Sequence, residues 1–453
     1  LCRNLFLFIP SLGASHRAHY FNRISLSGYI HCMPFKEPTN SIAQRRIGIL
    51  IGSVALMFVT GGGMFLIVVA LKDMAMEFGW PREIPSLAFS LQFVGSGFGG
   101  LIMGRLLDRY GFWLPALLAS LMVGAGAMLV SGINHAWQLY LIHLVMFGLS
   151  GQGALGAPAL ANIVRWYTKN RGRAVGIVSS GQALAGIVWL PIFGFIVSNI
   201  GWRDMFFWYG VFAMCVMLPL CLLVRHNPPA PEKTELKNTA DKNNLDVGED
   251  KIGSCQISSS RIQTGLCCAI FGCCVAMALP LGHLVSFVTD RGYPIHNAVE
   301  VQSLMLFSAF VSRALLLGLI ADRVGGLRAL LIFSGLQAVM LTVFTLTHEL
   351  WALYVVAALF GLGYGGLFPV YAVAIRDHLP VGEIGRRTGV VFFVGAVAMG
   401  MGGWLGGFMF DRTGSYDAPF LIGAGFNAVN VLIVLFLISL LRNFLPGRLA
   451  PIR

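Results

Sequence analysis

The sequence has 453 residues, of which 56% are hydrophobic and only 11% are charged, and its mean hydropathy is +0.74. A soluble domain usually carries about 25% charged residues, because its surface must be solvated. This composition therefore excludes a chain of soluble domains. The formal net charge of +12 does not indicate nucleic acid binding, since the basic residues lie in short segments between apolar runs rather than on one folded face.

Apolar stretches of about 20 residues, the length that crosses about 30 Å of hydrocarbon, recur along the whole chain. They predict an all-α membrane protein with twelve transmembrane helices in two six-helix halves. The predicted spans are 47–71, 84–107, 112–132, 137–165, 173–199, 204–224, 264–289, 297–320, 327–347, 350–376, 388–410 and 418–441.

A polar segment separates the sixth predicted span from the seventh. It contains NPPAPEKTELKNTADKNNLDVGEDK, which has too little apolar surface to fold alone. The predicted regions are an N-terminal extension (1–46), an N-terminal six-helix bundle (47–224), a cytoplasmic central loop (225–263), a C-terminal six-helix bundle (264–441) and a cytoplasmic tail (442–453).

The first 46 residues fit this plan poorly. The segment LCRNLFLFIPSLG is too short and too broken to span a membrane, and no small-residue cleavage site follows a proper apolar core, so we do not expect a signal peptide. A chain that began at Met33 would reach the first span through a short segment that is credible as a cytoplasmic N-terminus. We expect the first 32 residues to reflect a misassigned start, and a genuine disordered extension is the alternative.

The lysine and arginine residues predict how the chain is oriented. From Lys36 onward, the segments on the side of the two termini hold 23 of these residues, whereas the loops on the other side hold five. Short cytoplasmic loops carry the excess of Lys and Arg. We therefore expect a multi-pass protein of the plasma or bacterial inner membrane with both termini in the cytoplasm. The five residues in the outer loops are Lys72, Arg82, Arg203, Arg291 and Arg412.

The nine cysteines do not indicate disulfides or a metal site. Four of them form the adjacent pairs Cys267-Cys268 and Cys273-Cys274 inside an apolar run rich in small residues, where cysteine behaves as a small hydrophobe. The sequence also lacks a P-loop, a zinc-ligand spacing and a plausible catalytic triad. We expect no metal, no cofactor and no enzymatic activity.

The spacing G-x-x-x-D-x-x-G recurs at matching places in the chain. The first glycines are 90, 124 and 89 residues apart, and the two halves are offset by 214 and 213 residues. The chain therefore reads as four three-helix units, and such nested repeats support alternating access around a solute site near the midplane. The four copies are Gly104, Asp108, Gly111; the degenerate Gly194, Ser198, Gly201; Gly318, Asp322, Gly325; and Gly407, Asp411, Gly414.

The repeated loops also predict residues that gate the transport path. Glycine permits a tight turn and a close helix approach, and the charged residues can pair with helix ends or with charges that separate when the cytoplasmic face opens. A loop that merely tolerates glycine and charge would explain one copy but not four in register. The predicted gating residues are Gly104, Asp108, Arg109, Gly111, Gly318, Asp322, Arg323, Gly325 and Asp411.

The loop GRLLDRYG (104–111) resembles the signature of the major facilitator superfamily, and the resemblance covers about 47–441. It implies the twelve-helix fold and secondary transport by alternating access. In the family, basic residues usually follow the second glycine, whereas Phe112 and Trp113 stand there in this chain. The later copy keeps a basic residue at Arg328. The resemblance thus implies weaker gating contacts at the first loop.

A narrower resemblance is to bacterial members of the monocarboxylate transporter family. WYTKNRGRAVGIVSSG (166–181) carries the family's aromatic pair, spaced lysine and arginine, Ala-x-Gly and a glycine five residues on, and EFGWPREIPSLAFSL (77–91) is also similar. TGGGMF (60–65) lacks the acidic residue and tryptophans of the first family motif, and Leu149 stands where many proton-linked relatives carry an arginine. The resemblance implies monocarboxylate transport, with proton symport.

Arg313 is the most informative single residue. It precedes Asp322 by nine positions, which places it roughly 13 Å along a helix from the cytoplasmic edge. A guanidinium at that depth is costly unless it faces a cavity and meets an anion or acceptor, so we predict that it binds the substrate. The alternative is a structural arginine that caps carbonyls or extends to the cytoplasm. The related transporters usually place this arginine four residues before the loop glycine, not five, and often keep an aspartate where Ala309 stands.

Further polar residues lie inside the predicted spans. His283 is either a proton carrier or a hydrogen-bonded group that lines the cavity, and the glutamines bond either to solute or between helices. The segment GYGGLFPVY (363–371) indicates a flexible helix that faces the cavity. The predicted substrate-binding residues are Arg313, His283, Gln152, Gln182 and Tyr371, with His283 also the candidate for proton coupling.

The leading hypothesis is a secondary active transporter of a small organic anion, and two alternatives stay open. An exporter or antiporter of other organic anions or drugs would have the same fold, and a non-transporting membrane sensor could retain it. The expected partners are the anion, protons and the lipid bilayer. We expect no nucleic acid partner and a monomeric protein.

Overall fold

The computed structural model describes residues 39–167, 171–226, 259–379 and 384–444. This part of the chain folds into twelve helices that are long and apolar enough to cross a membrane, which confirms the twelve spans. The expected start at Met33 and most of the predicted central loop lie outside the described residues. The chain divides into two units, residues 1–44 and residues 45–453. All the described residues belong to the second unit except those at the beginning of the first helix.

We number the helices by span. They are α1 (Thr39–Phe78), α2 (Glu83–Tyr110), α3 (Trp113–Ser131), α4 (Ala136–Trp166), α5 (Arg171–Ile200), α6 (Trp202–Leu223), α7 (Ser259–Asp290), α8 (Ile295–Val311, Ser312–Leu316 and Leu317–Val324), α9 (Gly326–Leu346), α10 (Leu350–His378), α11 (Ile384–Thr413) and α12 (Asp417–Phe444).

Two helices depart from regular α geometry. Ile142–Gln152 of α4 and Ser312–Leu316 of α8 are π-helical. Several helices also continue past the predicted spans, and α1 ends at Phe78 rather than at 71. Hydropathy reports the length that crosses hydrocarbon, so a helix that continues into the interface is underestimated.

Helices α1 and α7 lie at the centre of the molecule. In the most apolar 18-residue segment of each helix, 83% of α1 and 78% of α7 is buried, whereas the buried share of the same segment in the other ten helices is between 33% and 56%. The remaining helices therefore present more of their surface to the surroundings, as lipid-facing helices do. We call residues 45–226 the N-terminal half and residues 259–444 the C-terminal half. The predicted division into two separate bundles stays a prediction.

The second glycine of each repeat copy adopts the same special backbone conformation. Gly111, Gly201, Gly325 and Gly414 have φ of +83°, +89°, +82° and +70°, and each amide donates to the carbonyl four residues earlier at 2.8–3.1 Å. For the first three, ψ lies between 163° and 176°, a region essentially restricted to glycine. Each copy thus ends its helix by the same glycine-dependent turn.

The first glycines of the repeat do not share one role. At Gly104 the expected close helix approach is wrong, because an added Cβ would meet nothing within 4 Å. At Gly194 and Gly407 an added Cβ would lie 2.9 Å from Val299 and 2.2 Å from Ser86. These two glycines permit contact between the halves, whereas Gly318 lies outside the residues whose surroundings are described.

The two halves meet toward one side of the molecule. We call the side where α1 begins and α12 ends the termini face, and the side with connections 79–82, 291–294 and 414–416 the opposite face. Gly403 of α11 lies against Ser90 of α2, and Gly186 of α5 lies against Leu306 of α8. These contacts lie from the middle of the helices toward the opposite face, and those of Gly194 with Val299 and Gly407 with Ser86 lie nearer that face, so the protein is closed there.

Candidate functional site

Arg313 lies in the π-helical segment of α8 and is half-buried. Its Nε donates to the backbone carbonyl of Gly365 on α10 at 3.2 Å, and it also hydrogen-bonds with Tyr364. No described carboxylate lies within ion-pairing distance of the guanidinium. Arg313 is therefore a cation that is held by neutral groups.

The π turn accounts for the unusual spacing between Arg313 and Gly318. A π turn bonds residue i to i+5 and so takes up one more residue than an α turn. The π segment Ser312–Leu316 contains Arg313 and covers most of the interval to Gly318. Arg313, five residues before Gly318, can therefore share the helix face that a residue four positions earlier occupies in a regular helix. Single π turns are frequent at functional sites.

Close packing of α10 against α8 holds the carbonyl partner of Arg313. A Cβ added at Gly361 or Gly365 would lie 2.1 Å from the carbonyl oxygen of Met305 or Ala309. The Ser312 hydroxyl donates to the Leu362 carbonyl at 2.6 Å. The glycines of α10 thus serve close helix packing, whereas the sequence suggested a flexible, cavity-facing segment.

His283 lies in α7 and is 0% exposed. Its Nε2 donates to the Gly403 carbonyl of α11 at 2.7 Å, its Nδ1 has no described hydrogen-bond partner, and its ring centroid lies 5.1 Å from that of Tyr416. In this conformation His283 is packed between α7 and α11. Its proposed contact with protons or solute stays a prediction.

The two glutamines occupy different environments. Gln152 Nε2 donates to Gln92 Oε1 at 3.4 Å, so this side chain connects α4 with α2. Gln182 is exposed and lies one helical turn from Gly186, which packs against Leu306 of the other half. Gln182 thus lies beside the contact between the halves, and its contact with solute stays a prediction.

Tyr371 belongs to a buried polar network inside the C-terminal half. It is 1% exposed, and its hydroxyl donates to Asn430 Oδ1 at 3.2 Å. Asn430 Nδ2 in turn donates to Ser334 Oγ and Asn427 Oδ1, both at 2.9 Å. These contacts use the Tyr371 hydroxyl to join α10 to α12 and do not bring it to Arg313.

The predicted gating residues are divided between the two faces. Asp108 pairs with Arg165 at the termini face, where Arg109 stacks on Tyr110 and Arg323 is exposed. Asp411 lies at the opposite face. The side chain of Asp322 lies outside those described, and the gating roles stay predictions.

We predict that Asp108→Asn slows turnover with little effect on folding. Asp108 and Arg165 are 67% and 42% exposed, and exposed ion pairs contribute only about 0–1 kcal/mol to stability. The initial rate of uptake should fall several-fold while the melting temperature in detergent stays within about 2 °C of the parent value.

Arg165→Gln should slow turnover equally, and the double variant should be no slower than either single variant, since one interaction is lost in each case. Unchanged rates in both single variants would contradict the gating role of this pair.

A cavity of about 370 Å³ lies at the opposite face between the halves. Sequence reasoning missed this cavity, because none of the predicted substrate-binding residues lines it. Among the described ranges, no group of three His, Cys, Asp or Glu side chains could hold a metal. The lining includes Lys72 and Asp73 of α1, Ser198 of α5, and Ser286 and Thr289 of α7.

Comparisons with known proteins agree with the helical architecture. A model of the Major Facilitator Superfamily matches residues 53–340 and 301–450. The uncharacterized MFS-type transporter YcxA of Bacillus subtilis is 24% identical over 76% of this chain and 84% of its own. Monocarboxylate transporter 13 of Rattus norvegicus is 25% identical over 80% of this chain and 81% of its own.

A solved structure gives the same result for the fold. The nucleoside transporter NupG superposes with a TM-score of 0.68 over 86% of this chain and 99% of its own, at 12% identity. The family match spans most of the chain, and its members are membrane-embedded carriers of small solutes rather than enzymes. With its twelve spans and four repeated glycine turns, this chain is a multi-pass transporter that belongs to the Major Facilitator Superfamily.

Proposed function

We propose that this transporter carries a small monocarboxylate, with the Arg313 guanidinium as the binding group for the carboxylate. The observation that carries the proposal is a half-buried arginine inside a membrane span that has no described carboxylate partner. A charged group at such a depth usually marks a substrate or ion pathway. The similarity to a monocarboxylate transporter supports the same substrate class.

The geometry around Arg313 suits a carboxylate. Its Nε is used by the Gly365 carbonyl and one further hydrogen bond joins the guanidinium to Tyr364, so three of its five N–H groups stay available for a solute. Two parallel N–H donors match the two oxygens of a carboxylate. The anchoring carbonyl also limits rotation of the guanidinium, so less entropy is lost when the anion binds.

We further propose proton symport and a cytoplasmic termini face. Symport is supported by the resemblance to monocarboxylate transporters, and His283 is the candidate carrier within the spans. The orientation is supported by the 23-to-5 distribution of Lys and Arg between the two sides. Alternating access then requires that the contacts between the halves at the opposite face separate during each cycle.

We predict that the transporter prefers monoanions. A second negative charge without a partner in a low-dielectric cavity costs several kcal/mol. The concentration of succinate that halves the uptake of labelled lactate should therefore be more than about tenfold higher than that of propionate. The measurement is competition for uptake into proteoliposomes that contain the purified protein. Equal competition by propionate and succinate would overturn the preference.

The same vesicles test the direction and coupling of transport. Concentrative uptake that follows an imposed pH gradient and collapses with a proton ionophore supports symport, whereas uptake driven by a sodium gradient contradicts it. Exchange only against preloaded anion would indicate an antiporter. The absence of flux for every carboxylate, in protein that is correctly inserted, would mean that the solute belongs to another chemical class.

A further inference from the structure

Three arginines at the opposite face share one type of environment. Each pairs with a carboxylate and lies over aromatic rings: Arg203 with Glu77, Arg291 with Asp417, and Arg82 with Asp290. The first pair lies within the N-terminal half and the second within the C-terminal half. Only the third of these pairs joins the two halves.

The side chain of Arg82 is extensively held by the C-terminal half. Nη2 donates to Asp290 Oδ1 at 2.9 Å, and Nη1 donates to the other oxygen. The guanidinium carbon lies 3.8 Å from the ring centroid of Phe410, and Nη1 donates to the Tyr416 hydroxyl at 3.3 Å. Burial raises the pKa of the Tyr416 phenol to about 12, so this group is a neutral acceptor at physiological pH.

The backbone at Arg82 crosses between the halves as well. The amides of Arg82 and Glu83 donate to the two carboxylate oxygens of Asp411 at 2.9 and 2.7 Å. A carboxylate of α11 therefore caps the N-terminus of α2, where it satisfies free amides and complements the helix dipole. Trp404 Nε1 also donates to Glu83 Oε1 at 2.9 Å.

Lys72 links this cluster to the cavity. Its Nζ lies 3.0 Å from Asp290 Oδ1, so one carboxylate of the C-terminal half serves two cations of the N-terminal half. Lys72 also lines the cavity, together with Ser286, which is only 2% exposed. The cluster is thus placed at the rim of the space that a solute would cross to leave at the opposite face.

We propose that Arg82, Asp290 and Asp411 form a latch that holds the opposite face closed, and that Arg82 sets the balance between the closed and open conformations. The side chain of Arg82 is 13% exposed, and its two-pronged charged contact is of the strong class. These contacts must break when the halves separate at this face. The latch acts on the conformational equilibrium without touching the solute, so it stands or falls independently of the proposed substrate.

The test measures how often the opposite face opens around Ser286, which is buried in the closed conformation. Ser286→Cys places a thiol at the buried position, and a membrane-impermeant maleimide is added from the opposite face. The rate of labelling above that of the parent protein reports the open population. Arg82→Gln in this background should raise the rate about tenfold, which corresponds to about 1.4 kcal/mol.

Asp290→Asn removes the partner of Arg82 and should also raise the labelling rate. It keeps the test valid if Arg82→Gln does not insert. Arg203→Gln and Arg291→Gln are matched controls, because each removes a charge and an aromatic contact at the same face within one half. In the Ser286→Cys background, both control variants should leave the labelling rate at the value of Ser286→Cys alone.

Unchanged labelling in both Arg82→Gln and Asp290→Asn would overturn the latch. An equal rise in the two control variants would also overturn it, because the face would then open through general loosening. No solute is needed for this measurement. A transporter that moves no monocarboxylate but shows the tenfold rise would retain the latch and lose only the proposed substrate.

Discussion

Arg313→Gln is expected to abolish uptake of lactate while the protein still inserts and folds. Glutamine keeps a hydrogen-bond donor near the Gly365 carbonyl but removes the charge that offsets a carboxylate. Removal of a cation from a membrane span does not add a desolvation cost, so insertion should be retained. A buried charge partner is worth about 3–5 kcal/mol when one member is removed, which corresponds to a loss of affinity of more than about a hundredfold.

Arg313→Lys should restore little of this activity, because an ammonium is a point charge without the planar two-pronged contact. Arg442→Gln is the matched control, since it removes an exposed cation at the end of α12. The measurement is uptake of labelled lactate, with the amount of inserted protein determined in the same vesicles. Full uptake by Arg313→Gln would show that the anion binds elsewhere.

The architecture could be predicted from the sequence because it depends on local properties of the chain. Each span needs about 20 apolar residues, and hydrophobic length records this directly. The turns at the repeated glycines could also be predicted, since Gly111 and Gly325 adopt a backbone conformation that other residues avoid. A short local rule was sufficient in both cases.

The contacts of the candidate sites could not be predicted in this way. Arg82 and Asp290 are 208 residues apart, and no local pattern states that they pair. The two π segments also gave no hydropathy signal, because one residue more per turn leaves an apolar run apolar. The one-residue difference in the spacing of Arg313 was the visible trace of the π turn in α8. The assignment of Tyr371 to a solute site used its place near glycines, whereas its hydroxyl joins α10 to α12.

Adjacent glycines in α2 allow a sharp test of how the helices pack. A Cβ added at Gly99 would lie 2.2 Å from the backbone carbonyl oxygen of Leu149 in α4. A Cβ added at Gly100 would meet nothing within 4 Å. The atom that faces Gly99 belongs to the backbone of the π segment, so no side-chain rotation can relieve the clash. The two positions differ in packing while they share the same helix.

Gly99→Ala is therefore expected to destabilise the protein strongly, and Gly100→Ala is not. Overpacking of this kind typically costs about 1–3 kcal/mol and sometimes more, whereas alanine gains up to about 1 kcal/mol over glycine through its helix propensity. The melting temperature in detergent should fall for Gly99→Ala and should stay level or rise for Gly100→Ala. Because the propensity gain is common to both variants, the difference between them isolates the contact of α2 with α4. Equal melting temperatures would mean that α4 moves away from α2 without cost in stability. The close contact of Gly99 with the π segment of α4 would then contribute nothing to the stability of the protein.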